Sequence, residues 1–416
     1  MARTTSDPGE PPVRTGSTGT VLATAAIALA GILAVVAVGL FWPRGERARN
    51  GPPLVVSGWA PYWQPDSALA SFTGNARLFG EVSLVAYSAR GVDQVVPYEG
   101  VAADVVDTFR RSAASNGAPL VATVFDDTAR GEMAAILADP ASRARHVDTL
   151  VALVESGGFD ALELDYEGFA FVDERSTWAT TRPAWIALLT DLAARLRPAG
   201  IPLMVAVPPQ YDDEQTDASG YWVYDYASMG RIVDRIRIMA YDYSFAEPGP
   251  VAPIGWVERV VESAARLVDP AKLDLGIPTY GYEWITARSG ICPAGDDRER
   301  RPISIARMGR ELAGRGLTPT WDDTTAEVTF SYTETLTGDD GNGATVTCTV
   351  TRSVYAPDAR SVHLRAMLAY RNDFHGVALW ALGNDDEATW DALAAAQRGE
   401  STWPATAAAG PTSAGT

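Results

Sequence analysis

Short apolar runs alternate with segments of helical spacing along most of this chain, and this alternation restricts its possible folds more than any other feature. Eight strands alternating with helices are typical of a (β/α)8 TIM barrel of the α/β class. The alternative is a doubly wound open sheet, but the first run leads into SGWAPYW and not into a glycine-rich phosphate loop. The predicted strands are Leu54–Trp59, Val82–Tyr87, Leu120–Phe125, Ala161–Glu167, Pro202–Val207, Arg235–Tyr241, Leu273–Ile277 and Gly376–Leu382. The predicted helices include Ala102–Asn116, Ser142–Ser156, Pro183–Leu196, Tyr226–Val233, Gly255–Val268 and Arg360–Phe374.

One connection, between the seventh and eighth predicted strands, is much longer than the others. It contains an amphipathic helix around Ile303–Arg315 and two strand-like runs, Glu327–Tyr332 and Ala344–Arg352. The turn sequence GDDGNG separates the two runs. We therefore expect a small α+β insertion over residues 283–358, packed beside the mouth of the barrel.

Both cysteines of the chain, Cys292 and Cys348, fall inside this insertion. In an exported domain such a pair more often forms a disulfide than stays free, although spacing alone does not establish the pairing. Neither cysteine has His or Cys neighbours at metal-ligand spacing, and the chain has only 3 histidines. A zinc site is therefore not expected.

An uncharged apolar segment at residues 20–42 predicts a transmembrane helix. It is long enough to cross a bilayer and exceeds the apolar core of a cleaved signal peptide. We expect an uncleaved signal anchor in the lipid bilayer of the cell membrane, with a cleaved signal peptide or a buried core helix as alternatives. Residues 1–19 would then be a disordered cytoplasmic tail and residues 43–53 a linker. The barrel would occupy residues 54–397 outside the membrane, followed by a low-complexity tail at residues 398–416.

The composition excludes nucleic acid as the partner. The chain has 416 residues, of which 47% are hydrophobic, so it can bury a large core. Its 52 acidic residues against 34 Lys and Arg give a net charge of -18, whereas binding to phosphates needs a basic surface. A monomer is the default expectation for the oligomeric state.

Three acids spaced two residues apart in the fourth predicted strand are the main indication of function. In GGFDALELDYEG, Glu163, Asp165 and Glu167 point to one face of a strand, and the residues between them point to the other. A solvated surface strand is the simpler interpretation. In a parallel barrel, however, helices cover the outer face, so an acidic face points towards the mouth, where catalytic carboxylates lie. Asp160 is out of phase with these acids, and we expect it to form a structural hydrogen bond at the start of the strand.

Polar and aromatic residues occur at the carboxyl ends of the other predicted strands, which meet at one face of a barrel. Any one of these aromatic residues is more often part of a core than of a binding site. As a group they suit a sugar polymer, because sugar rings stack on Trp and Tyr while their hydroxyls need hydrogen-bond partners. The group comprises Trp59, Gln210, Tyr241, Asp242, Tyr280, Tyr282 and Trp380.

Four segments, in order along the chain, resemble the motifs of glycoside hydrolase family 18. FDALELDYEG is similar to the D-G-x-D-x-D-x-E signature, MAYDYS to the sixth-strand M-x-Y-D motif, GIPTYGYEW to the seventh-strand segment and GVALWALGNDD to the eighth. With ISIARMGRELA in the insertion, the last two most resemble the spore-cortex-lytic and peptidoglycan N-acetylglucosaminidase branch. The resemblance covers residues 53–395. It implies a TIM-barrel enzyme that cuts β-1,4 bonds next to N-acetylglucosamine in an N-acetylated glycan polymer.

The resemblance also implies a retaining, substrate-assisted mechanism with a role for each residue. Glu167 would donate a proton to the leaving oxygen, and we expect repulsion from Asp165 to raise its proton affinity. Asp165 would orient the 2-acetamido group of the substrate, whose oxygen replaces a carboxylate nucleophile. Tyr241 would hold that oxygen, Asp242 would support the intermediate and Trp380 would form the floor of the subsite. No metal or organic cofactor is implied.

Two positions depart from the family signature. Ala161 stands where the signature has glycine, and Glu163 stands where it has a shorter acid. Glu163 is expected to crowd Asp165. These departures keep open a non-hydrolytic glycan-binding lectin on the same barrel, although retention of Glu167 favours an enzyme, and a true chitinase is a further alternative. The expected substrate-binding residues are Trp380, Glu163, Tyr280, Tyr282, Trp59 and Gln210.

Overall fold

The strands of the chain match the predicted alternation closely. The computed structural model describes residue 49 and residues 51–211, 219–295 and 299–403. The strands are β1 (Val55–Pro61), β2 (Val82–Gly91), β3 (Gln94–Pro97), β4 (Leu120–Asp126), β5 (Ala161–Asp165), β6 (Leu203–Val207), β7 (Arg235–Ile238), β8 (Leu273–Pro278), β9 (Tyr280–Gly290), β10 (Arg300–Ser304), β11 (Thr320–Asp322), β12 (Glu327–Asp339), β13 (Thr345–Ala356) and β14 (Gly376–Trp380).

Eight of these strands, counted over the described ranges, form a closed parallel barrel. They follow one another in the order β1, β2, β4, β5, β6, β7, β8 and β14, and β14 pairs with β1 to close the sheet. Side chains such as Leu162, Val205 and Leu275 are completely buried, because one face of the sheet fills the barrel and the other lies beneath helices. The predicted barrel is confirmed, and the open-sheet alternative is wrong.

Helices cover the outside of the barrel. Each of the six predicted helices is present, and the third begins at Arg175, upstream of the predicted Pro183. The helices are α1 (Pro65–Gly74), α2 (Ala103–Asn116), α3 (Glu132–Ala138), α4 (Pro140–Gly157), α5 (Gly168–Phe171), α6 (Arg175–Leu196), α7 (Tyr226–Ile232), α8 (Ile254–Leu267), α9 (Ile305–Arg315), α10 (Ala359–Arg371) and α11 (Glu387–Gln397).

Local signals fix the start of β5, the strand that carries the acids. Helix α4 ends before Gly158, whose φ of 62° favours glycine and turns the chain back towards the barrel. Asp160 then accepts a hydrogen bond from the backbone N–H of Leu120 at 2.8 Å. The structural role predicted for Asp160 is therefore confirmed, and its bond ties the start of β5 to β4.

The connection between β8 and β14 contains a second sheet. Within the described residues its five strands are antiparallel and pair in the order β10, β9, β13, β12 and β11. Met308 of α9 packs with Phe330 and Val354 of the sheet in an apolar core separate from that of the barrel. A disulfide joins Cys292 to Cys348, so the predicted pairing is present.

The predicted transmembrane segment at residues 20–42 and the tail at residues 1–19 lie outside the described residues, as does most of the predicted tail at residues 398–416. In the part of the chain that is described, no helix combines the length and the apolar character needed to cross a membrane.

Candidate active site

Asp165 and Glu167 lie where β5 ends at the mouth of the barrel. Asp165 is the last residue of β5, and Glu167 immediately precedes α5. The side chain of Tyr166, between them, points into the helical shell, where its hydroxyl contacts Nε2 of His146 at 2.7 Å. Tyr224 donates a hydrogen bond to the carbonyl oxygen of Tyr166 at 2.6 Å. This backbone anchor holds the two acids on the opposite, mouth-facing side.

The environment of both acids favours their protonated forms. Burial, with smaller contributions from Glu167 and Glu163, raises the pKa of Asp165 well above its usual range. Its Oδ1 is buried and has no hydrogen-bond partner within the described residues. Burial raises the pKa of Glu167 to about 7, and repulsion from Asp242 adds to the shift. Burial is thus the largest cause of the raised Glu167 pKa, and the expected repulsion between Asp165 and Glu167 contributes to the raised pKa of Asp165.

Asp242 is held by two tyrosines from the next part of the chain. The hydroxyls of Tyr280 and Tyr282 donate to its Oδ1 at 2.6 and 2.7 Å. Its backbone has a φ of 58°, a left-handed conformation that Asp tolerates better than most residues. Tyr241 packs edge-on against Tyr280, with ring centroids 6.3 Å apart. Burial and the nearby charge of Asp165 raise the pKa of Tyr241, so its phenol keeps its proton and can donate.

A cavity of about 400 Å³ opens beside Asp242. Four predicted residues line it: Asp242, Tyr280, Tyr282 and Trp380. The ring of Trp380 stands at 78° to that of Trp63, with centroids 5.8 Å apart. The half-exposed indole of Trp63 and the indole of Trp380 give this cavity flat apolar surfaces of the kind on which sugar rings stack.

Glu163 and Trp59 lie in the interior of the barrel and not in this cavity. The Glu163 carboxylate accepts hydrogen bonds from Trp59 Nε1 at 2.8 Å and from Thr123 Oγ1 at 2.6 Å. Its other oxygen pairs with Arg237 at 3.0 Å, and neither charged side chain has any exposed surface. The predicted substrate contacts of Glu163 and Trp59 are therefore wrong, because each side chain is buried and bonded to protein. Glu163 still acts on the site through its charge, which contributes to the raised pKa of Asp165.

Arg237 is the centre of a buried ionic cluster beneath the site. Besides Glu163, it contacts Glu81 at 2.6 Å and Asp274 at 3.4 Å. Asp274 also contacts Nδ1 of His375 at 2.7 Å. Three acids, two from strands (Glu163 and Asp274) and one from the loop before β2 (Glu81), thus share a single guanidinium, which offsets part of the cost of burying them.

Gln210 is the remaining predicted binding residue. Its amide nitrogen donates to the carbonyl oxygens of Tyr221 and Tyr224, at 3.2 and 2.7 Å. It is not among the residues that line the cavity. Gln210 therefore orders the loop after β6, including the tyrosine that anchors the backbone between the two acids.

Several residues of the cavity are absent from the predicted binding set. Trp63 and Gln64 come from the end of β1, Ser304 and Arg307 from the start of α9, and Asn384 from the chain after β14. The segment ISIARMGRELA carried a signal, since it resembles the same family branch, but the pattern does not show that its arginine reaches the mouth. No group of three or more His, Cys, Asp or Glu side chains in the described ranges could hold a metal ion.

Comparison with known proteins gives a consistent match. The family described as "Glycosyl hydrolases family 18" matches residues 112–385. "Uncharacterized glycosylase YvbX" of Bacillus subtilis is 23% identical over 266 residues, which are 63% of this chain and 69% of that protein. "Cortical fragment-lytic enzyme" of Bacillus anthracis is 27% identical over 262 residues, 62% of this chain. The match spans about half of that enzyme, 54% of its length.

A solved structure shows the same fold. The chitinase of Chromobacterium violaceum aligns with a TM-score of 0.66 at 24% identity, and the alignment covers 84% of this chain and 100% of that one.

Proposed function

Because this chain belongs to glycosyl hydrolase family 18, we propose that it cuts β-1,4 bonds next to N-acetylglucosamine in peptidoglycan. The supporting observation is the pair at the end of β5. Glu167, with a pKa of about 7, can hold a proton at neutral pH beside the buried, unpartnered Oδ1 of Asp165. A glycosidase needs both groups, one to protonate the leaving oxygen and one to receive a hydrogen bond from the substrate.

The first chemical step uses Glu167 as the acid. As the bond between the anomeric carbon and the bridging oxygen breaks, that oxygen takes the proton of Glu167. The acetamido oxygen of the same sugar forms a new bond to the anomeric carbon from the opposite face, which gives an oxazolinium ion. Water then attacks the anomeric carbon from the side of Glu167 while the bond from that carbon to the acetamido oxygen breaks. The water gives a proton to the Glu167 carboxylate, the acetamido group is restored, and the configuration of the sugar is retained.

The neighbouring residues orient the acetamido group. Asp165 accepts a hydrogen bond from its N–H, and the positive charge that develops on the oxazolinium ion favours the ionised form of Asp165, which offsets that charge. The protonated phenol of Tyr241 donates to its oxygen before attack. Asp242, fixed by Tyr280 and Tyr282, adds negative charge at the same side, and Trp380 stacks beneath the sugar ring.

Hydrolysis of a chromogenic N-acetylglucosamine oligomer tests this proposal. We expect activity in the full chain and a loss of about a thousandfold in Glu167→Gln, because general acid catalysis is removed. An oligomer without the N-acetyl groups should not be cut, since it lacks the nucleophile. Equal rates on both oligomers would exclude the mechanism. Binding without hydrolysis in the unchanged chain would support the lectin alternative.

A true chitinase is the second candidate, favoured by the structural likeness to the Chromobacterium violaceum chitinase. Digestion of purified peptidoglycan strands and of chitin oligomers distinguishes a peptidoglycan-cutting enzyme from a chitinase. Release of fragments from peptidoglycan with N-acetylglucosamine at the new reducing end is expected. Cleavage of chitin oligomers alone would favour the chitinase.

We also propose that residues 20–42 anchor the enzyme in the cell membrane, with the barrel outside. The uncharged apolar stretch supports the anchor, and the position of the polymer outside the membrane supports the orientation. Protease treatment of intact cells should remove the barrel from the membrane fraction. Recovery of the full chain after this treatment, or its absence from membranes, would contradict the proposal.

A further inference from the structure

Helix α9 of the insertion carries a groove lined by arginines. Arg307, Arg310 and Arg315, with Glu311 and Gly314, line a groove of about 530 Å³. On a protein with a net charge of -18, this is a local reversal of sign. We propose that this groove binds the carboxylate groups of the glycan strand, an inference that rests on the proposed glycosidase function.

The groove and the cavity beside Asp242 share a lining residue. Arg307 lines both of them, and the cavity also includes Ser304, the N-cap of α9. From Arg307, the positions i+3, i+4, i+7 and i+8 are the other four groove residues, so all five lie on one face of the helix. This face extends about 12 Å from the cavity at 1.5 Å per residue. A polymer leaving the cavity on this side would meet the arginines in succession.

The arginines are not equally occupied by carboxylates of the protein itself. Arg315 pairs with Glu311 at 2.8 Å and lies 4.0 Å from the centre of the Tyr332 ring. Arg307 contacts the buried Glu283 at 3.4 Å. Arg310 is exposed and, among the described residues, has no ion pair. The groove therefore presents at least one guanidinium whose donors are available to an incoming carboxylate.

This charge distinguishes between possible substrates. A glycan of N-acetylglucosamine alone is neutral and has no group for these arginines. A strand with lactyl ether carboxylates on alternate sugars, or with peptides that end in carboxylates, carries anions at regular intervals. Because guanidinium and carboxylate match in geometry and charge, the groove favours the anionic strand.

The test compares Arg310→Gln with the unchanged full chain on soluble oligomers of equal length. One oligomer contains only N-acetylglucosamine, the second alternates it with N-acetylmuramic acid, and the third also carries the peptide. We expect the ratio of kcat/KM for the anionic oligomers to that for the neutral one to fall about fivefold, as one exposed charge contact is lost. A fall for the second oligomer identifies the lactyl carboxylate, and a fall for the third alone identifies the peptide. Arg259→Gln, on the outer helix α8, is the matched control and should leave the ratio unchanged.

An unchanged ratio in Arg310→Gln, or the same ratio change in Arg259→Gln, would overturn the inference. Calorimetric binding of the same oligomers to the Glu167→Gln background makes the test independent of turnover. If no oligomer is cut but Arg310→Gln still weakens binding of the anionic ones, the glycosidase proposal fails and the groove remains. If the oligomers are cut, and the unchanged chain and Arg310→Gln have the same ratio of kcat/KM for anionic to neutral oligomers, only the groove proposal fails.

Discussion

Arg237 and Glu163 form an ion pair 3.0 Å long in which both side chains are completely buried inside the barrel. Glu163 stands where the family signature has a shorter acid, and the extra methylene lets its carboxylate reach a guanidinium on β7. Its charge is thereby balanced below the mouth, while Asp165, two residues later, keeps an unpartnered oxygen at the mouth. The departure from the signature therefore places the Glu163 charge beside Arg237 in the interior, and Glu163 is not among the residues that line the cavity.

Arg237→Met is expected to lower the free energy of unfolding by about 3 to 5 kcal/mol, because it leaves buried carboxylates without their counter-charge. Those carboxylates are Glu81, Glu163 and Asp274. Urea unfolding at pH 7, followed by circular dichroism, measures the change.

Two further variants show whether charge is the cause. Adding Glu163→Gln to Arg237→Met should restore part of the lost stability, since one uncompensated charge is removed. Arg259→Met, at an exposed site, should change the stability by less than about 0.5 kcal/mol. If Arg237→Met had the same urea unfolding midpoint as the unchanged chain, the role of Arg237 as the counter-charge of the buried carboxylates would be contradicted.

Much of the fold could be predicted because its signals are local. Each barrel strand is a short apolar run, and the turn before β5 is marked by Gly158 and Asp160. The acids at the end of β5 followed from the two-residue period of a strand and from the closure of the barrel. That position also predicted that the proton affinity of Glu167 would be raised. It did not predict that burial would be the largest cause of the raised pKa.

The partners of buried residues could not be predicted, because they come from distant parts of the chain. Glu163 meets Arg237 across the barrel, and nothing near either residue indicates the pairing. Trp59 lies within β1 and Trp63 lies just beyond it, but only Trp63 lines the cavity, since Trp59 turns inwards to donate to Glu163. The arginines of α9 likewise reach the site only through the packing of the insertion.

The raised pKa of Glu167 predicts an alkaline limit to activity. The acid form is required, so kcat/KM should fall as the pH rises through about 7. Asp242→Asn removes the charge that repels the ionised form of Glu167. The fall in kcat/KM should therefore occur at lower pH, and the maximal kcat/KM should also be reduced. Asn tolerates the left-handed backbone at this position, so folding should be preserved. If kcat/KM fell at the same pH in both proteins, the contribution of Asp242 to the Glu167 pKa would be contradicted.

Glu167→Gln should be more stable than the unchanged chain at pH 8. The pKa of Glu167 rises from 4.5 to about 7 on folding, so the folded state binds the proton more tightly. Its contribution to stability is present at acid pH and is lost as the pH rises from about 4.5 through about 7. Glutamine avoids this loss, with an expected gain of about 3 kcal/mol at pH 8. Urea unfolding at pH 8 and pH 4 measures the gain, which should disappear at the lower pH. Stability of the variant equal to or below that of the unchanged chain at pH 8 would contradict the raised pKa of Glu167.

The disulfide between Cys292 and Cys348 should stabilise the insertion mainly by restricting its unfolded state. The two cysteines are separated by 56 residues, and closing a loop of that length corresponds to about 4 kcal/mol on a chain-entropy estimate. We expect reducing agent to lower the urea midpoint of the unchanged chain, and the double variant Cys292→Ala, Cys348→Ala to unfold at that lower midpoint in either condition. The double variant is the matched control, because reducing agent has no bond to break in it. An equal effect of reducing agent on both proteins would mean that the midpoint responds to something other than this bond, since only the unchanged chain contains it.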